Sequence, residues 1–539
     1  MADVPSIQAG LLCPVTAAGA LARACSLAPD VEAIVAPDGR RTYAELAEDV
    51  DRLRRSLHAL GVRHGDHVAL CLGNGAQFHG IFLALATIGA VTIPVNTRLR
   101  AAEIAYCLRQ SRAKFLFAAD RLLSSDFTAI LREILGNEPL PCSDLPDLET
   151  VVLNGTADAP WARSWATFED EVSDEPPGAS ASDDVILIQY TSGSTGFPKG
   201  VMLRQHSLLT NGFVSALRMG LRAGDRFHSA RPFFHVAGTS LSIMACLQHA
   251  VTLVTMARFD AAEALELMEA ERCTHFSGND TMALMLLNHP DRQCRALTLR
   301  GGWVAGSQAV LKRVVHELGA TQCVSGYGLS EASPNIAQSC WWEPEDIRTT
   351  GLMRPQPGLD VRIVDPQTGD VLQAGGRGEI QVRGWSVMEA YFDMPENTAE
   401  TLSDEGWLST GDLGALSADG RLAFLGRLKN IVRVGGENVS PEEVEDLLHR
   451  HPAIRLAQIV GVPDERLVEV CAAFIVLNEG HAMDAETLGD WAKQNMAGFK
   501  IPRHVWFVEG FEDIGMTASS KVQKSKLAAH ARWLLSEKA

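Results

Sequence analysis

Apolar residues recur along this chain in two patterns, as long stripes with a helical period and as short continuous runs. From Thr42 to Leu60 they return every three or four positions, which predicts an amphipathic helix. Thr42 and Glu45 fit a capping box at its start, and Gly61 stands where a left-handed residue would end it. The run His67–Leu72 predicts a buried strand, and another helix-and-strand unit follows it. This alternation is typical of parallel sheets covered by helices, an α/β fold.

The texture of the chain changes twice in its second and third quarters. Residues Asp170 to Asp184 are polar and rich in proline, glycine and serine, which predicts an exposed connection. The connection leads into Val185–Ile188, a run typical of a buried strand. From Val361 the apolar segments become shorter, alternate with polar residues and are separated by frequent glycines. We therefore expect a small β-rich subdomain there.

A second domain is predicted at the C-terminal end. After a short strand, the residues Ser440 to Glu443 (Ser-Pro-Glu-Glu) combine an N-cap, a first-turn proline and a capping-box glutamate, and predict a helix to Arg450. We place the boundary near Lys429. This gives a large N-terminal domain of residues 1–428 and a small α+β domain of residues 429–539, a normal size for a separate unit.

Charge and cysteine content narrow the classes of protein to consider. The 48 Lys and Arg residues against 66 Asp and Glu residues give a formal net charge of −18. This argues against a nucleic-acid-coating protein, because phosphate backbones require a basic surface. The 11 cysteines include no CxxC pair, which predicts reduced thiols of the cytoplasm. The apolar stretches are shorter than about 18 residues and no secretory signal is visible, so we expect neither a membrane span nor export.

The strongest chemical signal is the segment Tyr190 to Gly200, YTSGSTGFPKG, directly after a predicted strand. Glycines let successive amide groups turn toward one concavity, the hydroxyls add donors, and Lys199 adds a positive charge. The composition therefore predicts a polyphosphate cradle. It is not a Walker A loop, because Lys199 follows Pro198 and precedes Gly200. A flexible surface loop is the alternative interpretation.

Other constellations do not point to a site. His64 and His67 lie in one turn without a helix to align them, so we do not expect a metal there. The chain contains no HExxH motif and no GxSxG elbow, which argues against zinc peptidases and serine hydrolases.

Several motifs in a fixed order resemble the adenylate-forming superfamily, which includes acyl- and aryl-CoA synthetases, firefly-type luciferases and the adenylation domains of nonribosomal peptide synthetases. The resemblance runs from about residue 30 to the end of the chain. Besides the glycine-rich segment, the matching segments are Ser325–Glu331 (SGYGLSE), Gly376–Gly384 (GRGEIQVRG), Glu405–Gly414 (EGWLSTGDLG), Gly426–Asn438 (GRLKNIVRVGGEN) and Thr517–Lys524 (TASSKVQK).

The resemblance implies that the glycine-rich segment and Lys199 hold the β- and γ-phosphates of ATP. Glu331, together with a hydroxyl of Thr195 or Ser330, would hold Mg²⁺, a hard cation that prefers oxygen ligands. Ser330 replaces the usual threonine of the family and keeps the hydroxyl. The phosphate-binding positions implied are Thr191, Ser192, Gly193, Ser194, Thr195, Gly196 and Lys199.

The nucleoside end of ATP is implied to lie on the next motifs. Tyr327 would pack on adenine, and Asp412 and Arg427 would bind the ribose hydroxyls. Taken alone, Asp412 is equally compatible with a loop cap, and Tyr327 with core packing. The further nucleotide-binding positions implied are Gly306, Ser307, Gln308, Gly326 and Gly328.

Lys521 is the expected catalytic residue of the first half-reaction, in which it would reach the carboxylate and the α-phosphate. A lone lysine near a chain end is usually a solvated surface residue, so only its motif supports this role. Two neighbours depart from the family: Ser520 replaces a glycine, and Gly515 stands where a proline is common.

The second half-reaction requires a thiol at the same site. In the family the C-terminal domain is a mobile lid that swings about a hinge, and Lys429 matches the hinge position. Gly435 and Gly436 match the segment beside the pantetheine arm of coenzyme A, where a backbone without side chains permits close approach. A plain turn is the alternative for the two glycines.

The acid-binding pocket is less clear from sequence. His235 matches the segment that borders the carboxylate, at a position where amino-acid-activating relatives carry an aspartate, which favours a simple carboxylic acid. A core histidine is the alternative. Trp303 is expected to narrow the pocket, unless it points into the core. Asn279 and Asp280 indicate an oxygenated acyl group or, alternatively, a helix N-cap before Thr281.

These residues predict an ATP- and Mg²⁺-dependent ligase that joins a small carboxylic acid to coenzyme A through an acyl-adenylate. The alternative acceptor is the phosphopantetheine arm of a carrier protein. A binding or scaffold protein that has lost catalysis is a further alternative, although Lys199, Glu331, Asp412, Arg427 and Lys521 are all retained. We expect no nucleic-acid partner, and an oligomer remains possible.

Overall fold

The computed structural model describes residues 13–536 apart from 124, 137–138, 156–158, 176, 192–197, 436, 512 and 517–521. Within this part of the chain, helices and strands alternate as the sequence predicts. The helix Tyr43–Leu60 follows an N-cap at Thr42, whose side chain closes the predicted capping box with Glu45, and Gly61 ends it at a φ of 100°. These three predictions are confirmed.

A first seven-stranded sheet is parallel except for one edge hairpin. In spatial order its strands are Gln322–Val324, Gly301–Ala305, His275–Asn279, Arg226–Ser229, Thr252–Val254, Glu32–Ala36 and Gly39–Thr42.

A second seven-stranded sheet is parallel except for the pairing of its first two strands, which are antiparallel. Its strands, in spatial order, are Lys199–Arg204, Val185–Thr191, Val91–Pro94, His67–Cys71, Phe115–Ala119, Thr150–Asn154 and Ala162–Ser164. A small hairpin, Arg121–Leu122 with Ser125–Asp126, stands apart.

Helices cover both sheets, and the helix Ala76–Ile88 lies in the core shared between them. Phe78 and Phe82 on this helix are fully buried, and Phe78 contacts Phe233 with ring centroids 5.5 Å apart. The other helices of this region are Ala17–Leu27, Ala101–Gln110, Phe127–Leu135, Trp165–Asp170, Gln205–Met219, Val236–Gly238, Ala245–His249, Ala261–Ala270, Asp280–Leu287, Gln308–Glu317, Glu345–Arg348 and Pro395–Thr401, with a π-helical turn at Thr239–Met244 and 3₁₀ turns at Pro290–Cys294 and Ser330–Ala332.

A third sheet is antiparallel throughout and confirms the β-rich subdomain, although it begins earlier in the chain than Val361. Its strands, in spatial order, are Gly326–Gly328, Asn335–Gln338, Leu352–Pro355, Leu422–Arg427, Leu408–Leu416, Arg377–Gly384 and Leu359–Val364. Its apolar face belongs to the same hydrophobic core as the two parallel sheets.

The C-terminal residues form a smaller α+β unit with two hydrophobic clusters of its own. Its helix begins at Pro441 as predicted but ends at Leu448, two residues before Arg450. Glu443 does not close the predicted capping box, because its carboxylate is turned to Lys500. The strands are Glu437–Val439, Val432–Val434, Val468–Leu477, Ile454–Asp464 and His504–Phe507, the helices Pro441–Leu448, Ala485–Asn495 and Lys524–Ser536, and the 3₁₀ turns Leu428–Asn430 and Gly498–Lys500.

Among the residues that the structure describes, no helix is both long enough and apolar enough to cross a membrane. The segment Asp170–Asp184 is largely exposed, as predicted for a connection, and the strand that follows it extends to Thr191.

Candidate functional site

The glycine-rich segment connects two antiparallel strands of the second sheet. Thr191 pairs with Lys199, so the strands close the two ends of the segment. Tyr106 donates a hydrogen bond from its hydroxyl to the carbonyl of Pro198, at 3.1 Å, and fixes one end. The predicted phosphate-binding residues Ser192, Gly193, Ser194, Thr195 and Gly196 lie outside the described residues.

Lys199 and Glu331 are brought together by Tyr391, a residue that the sequence analysis missed. The Lys199 ammonium lies 4.7 Å from the centroid of the Tyr391 ring. The Tyr391 hydroxyl donates a hydrogen bond of 2.8 Å to Glu331 Oε1. Burial, and then the Glu331 charge, raise the pKa of Tyr391, so the hydroxyl stays a donor at neutral pH. The arrangement places a cation and a carboxylate beside the glycine-rich hairpin.

The Glu331 backbone is fixed as well as its side chain. Glu331 lies in the 3₁₀ turn Ser330–Ala332, and its carbonyl accepts a hydrogen bond from the Met388 amide at 2.8 Å. Within the described part of the chain, no group of three or more His, Cys, Asp or Glu side chains could hold a metal ion.

Three predicted residues meet at a buried carboxylate in the third sheet. Asp412 is 1% exposed and accepts a hydrogen bond of 2.8 Å from the Tyr327 hydroxyl. Arg427 is the partner of Asp412 on the neighbouring strand, and its Nε lies 2.8 Å from Asp412 Oδ1. The two groups form an ion pair, but their orientation does not meet the geometry of a hydrogen bond. Burial raises the pKa of Asp412 to about 6, against the opposing effect of Arg427. Asp412 lies within a strand, so the loop-cap interpretation was wrong.

Tyr327 is held by packing on both the ring and the hydroxyl. Its ring stacks on Phe424, with centroids 5.0 Å apart and planes at 21°. The residue is 6% exposed, so the core-packing interpretation describes much of its surface. On the same strand, Gly328 has no space for a Cβ, which would collide with the Pro334 carbonyl. The glycine therefore fixes the turn that leads to Glu331.

The loop of Gly306, Ser307 and Gln308 is organised by an acidic residue. The Ser307 amide donates a hydrogen bond of 2.9 Å to Asp280 Oδ1, and a Cβ at Gly306 would collide with the same oxygen. Gln308 Nε2 donates to the Thr350 carbonyl at 2.6 Å. Burial raises the pKa of Asp280 to about 7, with smaller effects from Glu445 and Asp446.

This geometry decides between the two interpretations of Asn279 and Asp280. Asn279 caps the helix Asp280–Leu287, because its side chain accepts a hydrogen bond of 2.9 Å from the Met282 amide. Asp280 supports the loop at Ser307. The N-cap alternative is therefore correct for Asn279, and both side chains have structural tasks.

His235 and Trp303 are both related to a residue that the sequence analysis did not consider, Arg231: His235 follows it by four residues, and Trp303 contacts it. His235 is partly buried and precedes the helical stretch of residues 236–249. Trp303 is 8% exposed and lies against Gly326, where a Cβ would collide with the indole. The Arg231 guanidinium lies 4.2 Å from the centroid of the indole. Trp303 thus belongs to the core, next to the residue that precedes Tyr327.

The predicted hinge follows directly after the ribose-side residues. Lys429 lies in the 3₁₀ turn Leu428–Asn430, and burial followed by the Arg427 charge lowers its pKa. Gly435 has a φ of 58° and donates a hydrogen bond to the Leu467 carbonyl at 2.9 Å, in the turn between two short strands. Gly436 lies outside the described residues.

Lys521 also lies outside the described residues, but its flanks are clear. Met516 and Val522 form an isolated β-bridge, and Gly515 before it has a φ of 135°. Proline cannot adopt this φ, which explains why glycine stands there. Lys524 forms ion pairs of 2.7 Å with Glu445 and 3.2 Å with Glu442 on the helix Pro441–Leu448. Sequence analysis missed this lysine because its partners are remote in the chain.

The helix Pro441–Leu448 joins the two parts of the chain. It packs against the strand Leu422–Arg427, which ends at the arginine that pairs with Asp412. Asp446 on this helix lies 3.5 Å from the Ala309 amide, in the first turn of the helix Gln308–Glu317. The C-terminal unit therefore contacts the edge of the candidate site.

Comparison with known proteins identifies the family. The family model described as AMP-binding enzyme matches residues 21–392, and the model described as AMP-binding enzyme C-terminal domain matches residues 443–521. The protein YngI of Bacillus subtilis (strain 168) is 36% identical over 93% of this chain and 94% of its own. The acyl-CoA ligase SID4 of Ajellomyces capsulatus is 33% identical over 94% of this chain and 90% of its own.

A solved structure shares the whole architecture. The crystal structure of the anthranilate CoA ligase AuaEII in complex with anthranoyl-AMP has a TM-score of 0.87 and 25% sequence identity, covering 97% of this chain and 98% of that chain. The predicted resemblance is confirmed: the chain belongs to the AMP-binding enzyme family of the adenylate-forming superfamily.

Proposed function

We propose that this enzyme is an ATP-dependent acyl-CoA ligase, which converts a small carboxylic acid to acyl-AMP with release of pyrophosphate and then transfers the acyl group to the thiol of coenzyme A. The observation that carries the proposal is the cluster of Lys199, Tyr391 and Glu331 beside the glycine-rich hairpin. The lysine ammonium can bind the oxygens of a triphosphate, and the fixed carboxylate beside it can bind the metal ion that accompanies the triphosphate. Relatives named as acyl-CoA ligases support the same reaction.

The phosphates of ATP are proposed to bind to Lys199 and the glycine-rich segment of residues 192–197. Glu331 fits Mg²⁺, because this ion is usually held by one or two carboxylates together with substrate phosphates. We assign the second ligand to a hydroxyl of Thr195 or Ser330. When bound, the ion neutralises charge on the departing pyrophosphate. Tyr391 keeps one Glu331 oxygen in place by its hydrogen bond.

The nucleoside is proposed to bind at Asp412, Tyr327 and Arg427. With a pKa of about 6, Asp412 is ionised at neutral pH and accepts hydrogen bonds from the ribose hydroxyls. Arg427 is partly exposed and donates to the same sugar. The loop of Gly306, Ser307 and Gln308, held by Asp280, borders the adenine together with Gly326 and Gly328.

The C-terminal residues are proposed to supply the catalytic cation. Attack of the acid on the α-phosphorus builds negative charge there, and a positioned ammonium stabilises it. We assign this role to Lys521, and to Lys429 the role of hinge. We also propose that the domains divide at residues 428 and 429. The end of the first family match at 392 and the start of the second at 443 support a boundary in this interval.

The thiol acceptor is proposed to be coenzyme A, with a carrier protein as the alternative. Gly435 and Gly436 would line the approach of the pantetheine arm, and His235 would border the carboxylate. All 11 cysteines are free, which supports a reducing compartment such as the cytoplasm. The enzyme is a monomer or a small oligomer in this proposal.

Acid-dependent exchange of labelled pyrophosphate into ATP tests the first half-reaction, and AMP release on addition of coenzyme A tests the second. We expect Lys521→Ala to abolish exchange while it spares thioester formation from pre-made acyl-adenylate. Equal loss of both steps would contradict the assignment of Lys521. Absence of exchange across a broad library of acids would instead favour a scaffold protein, and transfer only to carrier proteins would favour the alternative acceptor.

A further inference from the structure

Arg231 is a buried cation for which the described part of the chain provides no counter-ion. It is 7% exposed, and neither Nη1 nor Nη2 has a hydrogen-bond partner among the described residues. Its backbone is fixed, because Asn74 Nδ2 donates to the Arg231 carbonyl at 2.9 Å and Asn74 Oδ1 accepts from the Phe233 amide at 2.8 Å. Burying a guanidinium without an acceptor costs free energy, so a buried group of this kind is expected to bind a ligand that supplies the acceptor.

The side chain that packs against Arg231, Trp303, also has a buried donor without an acceptor among the described residues. The guanidinium stacks on the Trp303 indole at 4.2 Å, a cation–π contact. Trp303 is itself 8% exposed, and its Nε1 has no hydrogen-bond partner in the described part of the chain. Three buried nitrogen donors thus have no acceptor among the described residues. Burial lowers the pKa of Arg231 to about 9, which still leaves the guanidinium charged at neutral pH.

The location connects this pair with the acid-binding side of the site. Arg231 follows the carboxyl end of the strand Arg226–Ser229, the edge at which open parallel sheets bind ligands. It precedes His235 by four residues. Trp303 lies against Gly326, the residue before Tyr327, which binds Asp412 at the nucleoside end. The pair therefore stands between the carboxylate segment and the nucleotide segment.

We propose that Arg231 and Trp303 bind a second anionic group on the acid, so that the substrate is a short dicarboxylic acid with one reacting and one recognised carboxylate. This inference rests on the proposed function. The unsatisfied groups are donors only, so their ligand is an acceptor, and a carboxylate matches the planar fork of arginine. The four rotatable bonds of Arg231 let the guanidinium turn while Asn74 holds the backbone.

The reacting carboxylate itself fits this role less well. Adenylation converts it to an uncharged acyl carbonyl and leaves the negative charge on the phosphate, so Arg231 would have no carboxylate counter-ion during the second half-reaction. A second carboxylate stays ionised through both steps. The indole lies against Gly326, the residue before Tyr327, and we expect it to shorten the acid pocket, so that a short chain is favoured over a long one.

Matched pairs of acids test the proposal: butanoate with butanedioate, pentanoate with pentanedioate, and hexanoate with hexanedioate. With the wild-type enzyme, kcat/KM from coenzyme A-dependent AMP release is expected to be at least about tenfold higher for a diacid than for its partner. Arg231→Met is expected to lower the diacid value about 10- to 100-fold, the usual effect of losing hydrogen bonds to a charged group, and to leave the monoacid value unchanged or higher. Arg231→Lys should retain a preference for the diacid.

Arg222→Met is the matched control, because Arg222 is an exposed arginine nine residues earlier in the chain. Parallel loss of diacid and monoacid turnover in Arg231→Met, in a protein that keeps the wild-type thermal midpoint, would overturn the proposal. So would a wild-type enzyme that prefers monoacids. If no acid is activated, calorimetric binding of pentanedioate to wild type and Arg231→Met decides: Arg231-dependent binding supports the site while the proposed function fails, and equal or absent binding rejects the site.

Discussion

Deleting one hydroxyl at Tyr391 tests whether its contact with Glu331 contributes to catalysis. Tyr391→Phe keeps the ring that lies 4.7 Å from the Lys199 ammonium and removes the donor 2.8 Å from Glu331 Oε1. A hydrogen bond to a charged group contributes about 1.5–3 kcal/mol. Because Tyr391 is 6% exposed, water cannot readily replace the hydroxyl, and about 2–3 kcal/mol is the appropriate part of this range.

If Glu331 holds the metal, this free energy is lost from the transition state. At 1.36 kcal/mol for each tenfold change, it corresponds to about a 30- to 150-fold lower rate of acid-dependent ATP–pyrophosphate exchange. The Mg²⁺ concentration for half-maximal exchange should rise, because the freed carboxylate loses its fixed orientation. The KM for ATP should change less, since the contact between the ring and Lys199 is retained.

Tyr43→Phe is the matched control. The Tyr43 hydroxyl is buried and donates to the carbonyls of Cys246 and Val251 at 3.0 and 2.8 Å, remote from the candidate site. This variant should lose about 1–2 kcal/mol of stability and keep its exchange rate. An exchange rate in Tyr391→Phe within threefold of wild type, with an unchanged Mg²⁺ requirement, would refute the assigned role of the tyrosine.

Three further predictions concern buried charges. Burial raises the pKa of Asp412 to about 6, and we propose that its ionised form accepts the ribose hydroxyls. In steady-state kinetics, the KM for ATP should therefore rise as the pH falls below about 6. Asp412→Asn should show no such rise. Burial raises the pKa of Asp280 from its ordinary value of 3.8 to about 7, so its cost to stability grows between these two pH values and is complete above pH 7. Calorimetry should therefore give Asp280→Asn a thermal midpoint that exceeds wild type most at pH 8, exceeds it less at pH 5 and approaches it near pH 4. Lys524→Met leaves the buried Glu445 without its cation, so urea titrations at pH 8 should give a free energy of unfolding lower by about 3 kcal/mol. The double variant that also carries Glu445→Gln should recover part of this loss.

Local features of the fold were predictable from the sequence because their causes are local. The helix from Tyr43 to Leu60 needs only its apolar period, the Thr42 cap and a glycine at its end. The strand before the glycine-rich segment is similarly determined by its own apolar run. The β-rich subdomain was predicted from its texture but started too late, because the strand Gly326–Gly328 is too short to show an alternating pattern.

The motifs grouped Asp412, Tyr327 and Arg427 in one predicted site, and these three residues meet in the structure. The register of the third sheet explains this success: Asp412 and Arg427 are direct partners on neighbouring strands. Helix ends were predicted less well. The helix that begins at Pro441 ends before Arg450. The Glu443 carboxylate accepts a hydrogen bond from Lys500 and not from the backbone amide of the N-cap residue.

The residues that sequence analysis missed share one physical property: each acts through a partner that is distant in the chain and near in space. Tyr391 bonds to Glu331 across 60 residues, and Lys524 bonds to Glu445 across 79. Arg231 stacks on Trp303 from a different strand of the first sheet. A single sequence shows residue types and spacing but not which side chains a sheet brings together. Asp412, Tyr327 and Arg427 lie in recognisable motifs, whereas the contact of Arg231 with Trp303 becomes visible only after the strands are in place.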